Sequence, residues 1–237
     1  MIQTVDGYEG LNLNFVSDRR FHVELGTRCN LSCTGCARTH VINTKDETGY
    51  RAYPTFKITD VGQDNLVALL RPENNIKSIF FNAVFSDPIY CGHLFETLDY
   101  INKMPTRPVL RYSTNASGRN TQWWIDFVSR FRDGDKIDFA IDGLEDTNHL
   151  YRVNADWNSI VNGINTFFEQ VEKQKLKNIT TTWRYLVFKH NVHQIKEAYK
   201  LSQELGFSVF KLIKPAPRTP RTQQPDQPWN EILEMIK

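Results

Sequence analysis

Four cysteines are the side chains of this sequence best suited to chemistry: Cys29, Cys33, Cys36 and Cys91. Three of them share the segment CNLSCTGC, at a Cys-x3-Cys-x2-Cys spacing. The start of the chain, MIQTVDGYEG, lacks the charged and then apolar pattern of a secretory leader, so a cytoplasmic, reducing setting is expected. Clustered thiols in such a setting point to metal binding or catalysis before disulfides. Soft sulfur ligands select Fe–S clusters, zinc or Cu(I). A structural zinc site wants four ligands, and His40 can complete a Cys3His set. A cubane held by three thiolates would instead leave one iron open. Spacing alone leaves both readings standing.

Composition narrows the class. The 237 residues are 40% hydrophobic and 24% charged, an ordinary globular balance for one large domain. The 29 basic and 27 acidic residues give a net charge of +2, so no general attraction to nucleic acid or membrane is implied. No apolar run approaches the roughly 18 residues of a membrane span.

The elements that must position the cysteines alternate. Residues 1–20 read as an N-terminal extension and 21–213 as the core domain; 214–237 are a Pro-rich tail that ends in a helical turn or two over 229–237. Strands are predicted at 21–27, 77–83, 109–114, 136–142, 179–188 and 207–213. Helices are predicted at 60–70 with Thr59 as N-cap, and at 93–103, 121–132 and 157–172. A further helix is expected after Asn191 and Gln194, which fit a capping box, with Gly206 closing it. Residues 38–58, with Tyr50 and Tyr53, have no clear period and read as a long loop. Six βα units imply an α/β fold with a parallel sheet, curled into a partial (β/α)6 barrel. The cysteine segment follows the first strand, so it lies at the C-terminal edge of the sheet, where active sites gather in such folds.

In that context CNLSCTGC resembles the CxxxCxxC signature of the radical S-adenosylmethionine (radical SAM) superfamily, and the resemblance spans roughly residues 20–213. It implies that Cys29, Cys33 and Cys36 hold one [4Fe–4S] cluster, whose open iron chelates S-adenosylmethionine. An electron donor such as flavodoxin or ferredoxin is implied with it. NAVFSDP, residues 82–88, resembles the family's stretch for the cofactor's amine, with Asp87 at the acidic position and Ser86 where glycine is usual. Ser113, Thr114 and Asn115 resemble the ribose contact, with Ala116 in place of glycine. Ala140–Leu144 resembles the S-[IL]-D-G segment of peptide-modifying members, keeping Asp142 but not the serine. Arg152 and Arg184 are candidate partners for the cofactor's carboxylate. Gly35 stands where many members have an aromatic residue that packs on adenine.

The resemblance implies a peptide or protein side chain as substrate, or else a small metabolite or nucleotide precursor. A zinc-binding interaction domain is the non-catalytic alternative. Cys91 is expected in the core, and Trp123, Trp124, Phe127 and Phe131 are expected to pack one helix. Lys211, Lys214, Arg218 and Arg221 form a basic run near the tail, either solvated or in contact with an acidic peptide or phosphate.

Overall fold

Alternate residues of the central strands are large and apolar, and they line one face of a sheet. The computed structural model describes residues 19–43, 57–71, 75–81, 84–215 and 223–236. Six parallel strands pair in chain order: β1 (Arg20–Val23), β2 (Ser78–Phe81), β3 (Val109–Thr114), β4 (Lys136–Ala140), β5 (Thr180–Leu186) and β6 (Val209–Ile213). The helices are α1 (Ala37–Asn43), α2 (Gln63–Leu69), α3 (Leu94–Asn102), α4 (Thr121–Val128), α5 (Asn148–Tyr151), α6 (Trp157–Lys173), α7 (Ile195–Glu204) and α8 (Trp229–Glu234). This is the expected α/β architecture of an open, partial (β/α)6 barrel.

The two sheet faces differ in chemistry. Ile79, Tyr112, Phe139, Trp183 and Phe210 are buried on the face packed by helices. Tyr112 packs edge-on against Phe127 and stacks with Phe131, so the aromatic residues of the expected helix are core, as is Cys91. The opposite face carries Arg111, Asp138, Arg184 and Lys211. Gly163 lets α6 approach α4, since a Cβ there would run into the indole of Trp124. At the N-terminal end of β4, buried Asp135 accepts hydrogen bonds from both terminal nitrogens of Arg107, at 2.9 and 2.6 Å, and from the Leu110 and Arg132 N–H groups.

Several expectations need correction. α1 occupies residues expected to be loop. Thr59 does not cap a helix: its N–H donates to Thr27 Oγ1 and its carbonyl accepts from the Thr27 N–H, while α2 starts after Gly62. Asn191 and Gln194 form no capping box. Asn191 Oδ1 accepts from the Phe188 N–H, and a 3-10 turn, Val192–Gln194, precedes α7. Lys211 belongs to β6 rather than to a basic tail. The first strand ends at Val23, because Leu25 and Gly26 turn away to meet Val61 and Asp60. Residues 1–18, most of the loop with Tyr50 and Tyr53, Asn82, Ala83, Arg218 and Arg221 lie outside the described residues.

Candidate functional site

The segment after β1 is fastened at both sides of its cysteines. Buried Arg38 donates to the carbonyls of Thr27 and Leu31, at 2.8 and 3.4 Å, which folds the segment back on itself. The N–H groups of Ser32 and Thr34 donate to Val153 and Tyr151 carbonyls at 3.0 and 3.2 Å, and so hold Cys33 against the loop after β4. The Cys36 N–H donates to the Cys33 carbonyl, and the Cys36 carbonyl starts α1 by accepting from His40. Cys29 Sγ accepts from the Leu31 N–H at 3.4 Å and from Asn115 Nδ2 at 3.6 Å. All three thiols are free and partly buried.

The segments after β2 and β3 meet beside Cys29. Asp87 Oδ2 accepts from the Asn115 N–H at 2.7 Å, and its Oδ1 accepts from the Ile89 N–H at the start of a short 3-10 turn. Burial pushes the Asp87 carboxyl up to about 6, against the pull of those N–H donors. Asn115 Nδ2 also donates to Asn30 Oδ1 at 3.0 Å. Thr114 Oγ1 and Asn115 Oδ1 accept from the N–H groups of Ala116 and Ser117. Ala116 adopts φ +60°, in the left-handed region that favours glycine. Ser86 Oγ donates to Glu24 Oε2 at 3.1 Å, and Glu24 also accepts from the N–H groups of Val84 and Phe85.

The segment after β4 meets Cys33. Asp142 is 1% exposed and lies 2.8 Å from Arg152 Nη2 in an ion pair. Its Oδ1 accepts from the Leu186 N–H at 2.7 Å, and Asn191 Nδ2 donates to its backbone carbonyl. Burial opposes the charge on both partners, and the Asp142 carboxyl is raised. Asp142 and Cys33 nevertheless hold the Arg152 guanidinium above its ordinary value. Arg152 Nε is buried with no hydrogen-bond partner. Gly35 has a local purpose: a Cβ there would sit 3.2 Å from the ring of Tyr151, which in turn packs on Phe188 at 4.4 Å.

Thus the structure brings Asp87, Asn115 and Cys29 together at one side and Asp142, Arg152 and Cys33 at the other, while the Ser86 hydroxyl is taken up by Glu24. Ser113 and Arg184 sit lower on the helix-free sheet face, where Arg184 Nη1 donates to Ser113 Oγ at 3.3 Å. Sequence reasoning missed Glu24, Asn30, Tyr151 and Asn191. Only Glu24 left a trace, as a carboxylate between Val23 and Leu25 inside the strand expected over 21–27.

Among the described residues no three His, Cys, Asp or Glu side chains already stand at metal-ligating distance. The donor set nonetheless fits an iron–sulfur cluster. Cys33 senses the charges of Cys36 and Cys29, and Cys29 that of Cys36, so the three thiols form one electrostatic group. Burial pushes Cys29 up to about 11 and Cys33 up to about 12, with Asp87 adding to the first and Arg152 opposing the second. A soft metal centre that displaces those protons relieves the cost. The two donors to Cys29 Sγ are the kind that support a cluster-bound sulfur.

Comparison with known proteins gives structural likeness only. No family model and no curated protein matches the chain. The structure is similar to Streptococcus suis SuiB bound to precursor peptide SuiA (TM-score 0.62, 12% identity, 91% of this chain and 44% of that one). It is similar to anSMEcpe with bound AdoMet and the Cp18Cys peptide (TM-score 0.55, 15% identity, 82% of this chain and 50% of that one). It also resembles TYW1 with a lysine-pyruvate adduct bound (TM-score 0.57, 11% identity, 92% and 72%). The chain therefore has the fold of these radical SAM proteins, and it spans about half the length of anSMEcpe.

Proposed function

We propose that the chain is the catalytic core of a radical SAM enzyme, with Cys29, Cys33 and Cys36 as ligands to one [4Fe–4S] cluster. The observation that carries this reading is the placement of the three thiols after β1, between Asp87 with Asn115 on one side and Asp142 with Arg152 on the other. When bound, the cluster supplies one electron that cleaves S-adenosylmethionine to methionine and a 5′-deoxyadenosyl radical able to take hydrogen from a substrate. The chain's own residues bind and orient. Arg152, with its unpartnered Nε, is suited to the cofactor's carboxylate. Asp87 and Ser86 flank the position of its ammonium, and Thr114 and Asn115 that of its ribose. Tyr151, fitted against Gly35, walls the site from water.

A peptide or protein side chain is the proposed substrate, supported by the Ile141–Gly143 resemblance and by likeness to SuiB bound to its precursor peptide. A small metabolite or nucleotide precursor is the second reading, supported by likeness to TYW1 with a lysine-pyruvate adduct bound. An electron donor, such as flavodoxin or ferredoxin, is the proposed partner.

The test is anaerobic reconstitution followed by reduction in the presence of S-adenosylmethionine. We expect about four irons per chain, from the ligand count of one cluster, and formation of 5′-deoxyadenosine. Cys29→Ala, Cys33→Ala and Cys36→Ala should each lose both, whereas Cys91→Ser should lose neither. Full iron content in any of the first three, or a colourless zinc protein, would refute the reading.

A further inference from the structure

Among the described residues, the sheet face opposite the helix-packed one carries more positive than negative side chains. In the sheet register Ala140, Arg184 and Lys211 lie side by side on β4, β5 and β6. Asp138, two residues below Ala140, is bonded to Arg111 Nη2 at 2.6 Å, and Asp142, two residues beyond Ala140, is bonded to Arg152 Nη2 at 2.8 Å. Arg111 itself lies over the Phe80 ring. Those pairings leave Arg184 and Lys211 without an ion-pair partner among the described residues, and Arg184 has only the neutral Ser113 hydroxyl at 3.3 Å.

Like charges directly opposite one another on neighbouring strands repel, and partial burial strengthens the repulsion. Burial first, and then Arg184 and Arg111, hold the Lys211 ammonium below its ordinary value, against the pull of Asp138. Burial lowers Arg184 as well, with Asp138 and Asp142 opposing and Arg152 and Arg111 adding to it. A planar guanidinium fork beside a point-charge ammonium matches a carboxylate or a phosphate, either of which would remove the repulsion.

We infer that Arg184 and Lys211 form an anion subsite on the helix-free sheet face, which binds a carboxylate or phosphate group of the substrate. The inference rests on the reading of the cysteine site as the reaction centre, and it adds the substrate's chemical class. The location suits that use. Ser113, which touches Arg184, is two residues from Asn115, which touches Cys29. An anion held here would anchor one end of a substrate while its other end faces the cysteine segment. The cofactor has its own carboxylate, but Arg152 rather than Arg184 is the arginine coupled to Cys33. Lys211 stands on β6, at the sheet edge opposite the strand that leads to the cysteines.

The test needs no identified substrate. Inorganic phosphate and acetate are titrated into the intact chain by calorimetry, and S-adenosylmethionine binding is measured separately on the reconstituted protein. Lys211→Gln is the main variant, Arg184→Gln the second, and Lys214→Gln, at an exposed neighbour, the control. We expect one anion per chain, bound about tenfold more weakly after Lys211→Gln, from the loss of one charged contact. We also expect unchanged binding in Lys214→Gln and unchanged S-adenosylmethionine affinity in Lys211→Gln. Tighter binding of phosphate would assign a phosphorylated substrate, and tighter binding of acetate a carboxylate. No binding of either anion, equal binding in the wild type and Lys211→Gln, or a matching fall in S-adenosylmethionine affinity would each overturn the subsite. Calorimetry with these anions requires no cluster, so failed iron uptake would refute the radical reading and leave the anion result separately legible. Should Arg184→Gln not fold, Lys211→Gln still decides.

Discussion

Asp87 shows how a single side chain joins the architecture to the chemistry. Both its oxygens take backbone N–H groups, yet burial holds its carboxyl up at about 6. In the unfolded chain the carboxyl titrates near the usual carboxylate value of about 4. The folded state therefore takes up the proton first as pH falls through 6, and this group's contribution to stability rises between pH 7 and 4, on the order of 2 kcal/mol. Asp87→Asn should lack that component, and urea unfolding of both cluster-free proteins at the two pH values measures it. Identical pH dependence in the two would count against the burial argument. On the reconstituted protein the same variant should bind S-adenosylmethionine roughly 5- to 150-fold more weakly, for the loss of a polar contact of about 1–3 kcal/mol.

At the scale of elements, packing and bracing are separate from the cysteine segment. Gly163→Ala pushes a methyl into the Trp124 indole between α6 and α4, and should destabilise by about 1–3 kcal/mol through overpacking. Thermal unfolding checks this, and pairing the change with Trp124→Phe should return part of the loss. Asp135→Asn removes a buried charge that Arg107 grips with two hydrogen bonds, and should destabilise by about 3–5 kcal/mol. Because Asp135 sits at the other end of β4, iron uptake per folded chain should stay at the wild-type level. A loss of uptake in protein that is still folded would show that the two ends are coupled.

These elements also mark what was legible in the sequence. β3 came out at its true bounds, since both its ends border turn residues and its apolar positions alternate. α1 did not, because seven residues of mixed polarity carry no period, and the helix starts from the Cys36 carbonyl instead. Asn191 followed three residues later by Gln194 has the form of a capping box. Both side chains are instead spent on distant partners around Asp142 and Thr147, which local spacing cannot reveal. The thiol triad and the residues after β2, β3 and β4 were legible as motifs. Glu24, Asn30 and Tyr151 were not, because the role of each comes from a partner on a distant segment: Ser86 for Glu24, Asn115 for Asn30 and Gly35 for Tyr151.

For the molecule as a whole, the strand order places β1 at one open edge of the sheet. β1 has four residues, pairs with β2 in the described sheet, and buries Val23. β3, β4 and β5 are each flanked on both sides. Among the described strands, the one leading into the cysteine segment is a short edge strand with one buried residue, and local opening should begin there. Amide hydrogen exchange should be fastest at β1 among the six strands in the cluster-free protein. A cluster held by Cys29, Cys33 and Cys36 would cross-link that segment, and reconstitution should slow exchange at β1 more than at β4. Equal protection of β1 and β4 without iron would show the edge strand to be held by something other than its ladder. Slow exchange at β1 would then be a record of cofactor loading, readable without any turnover.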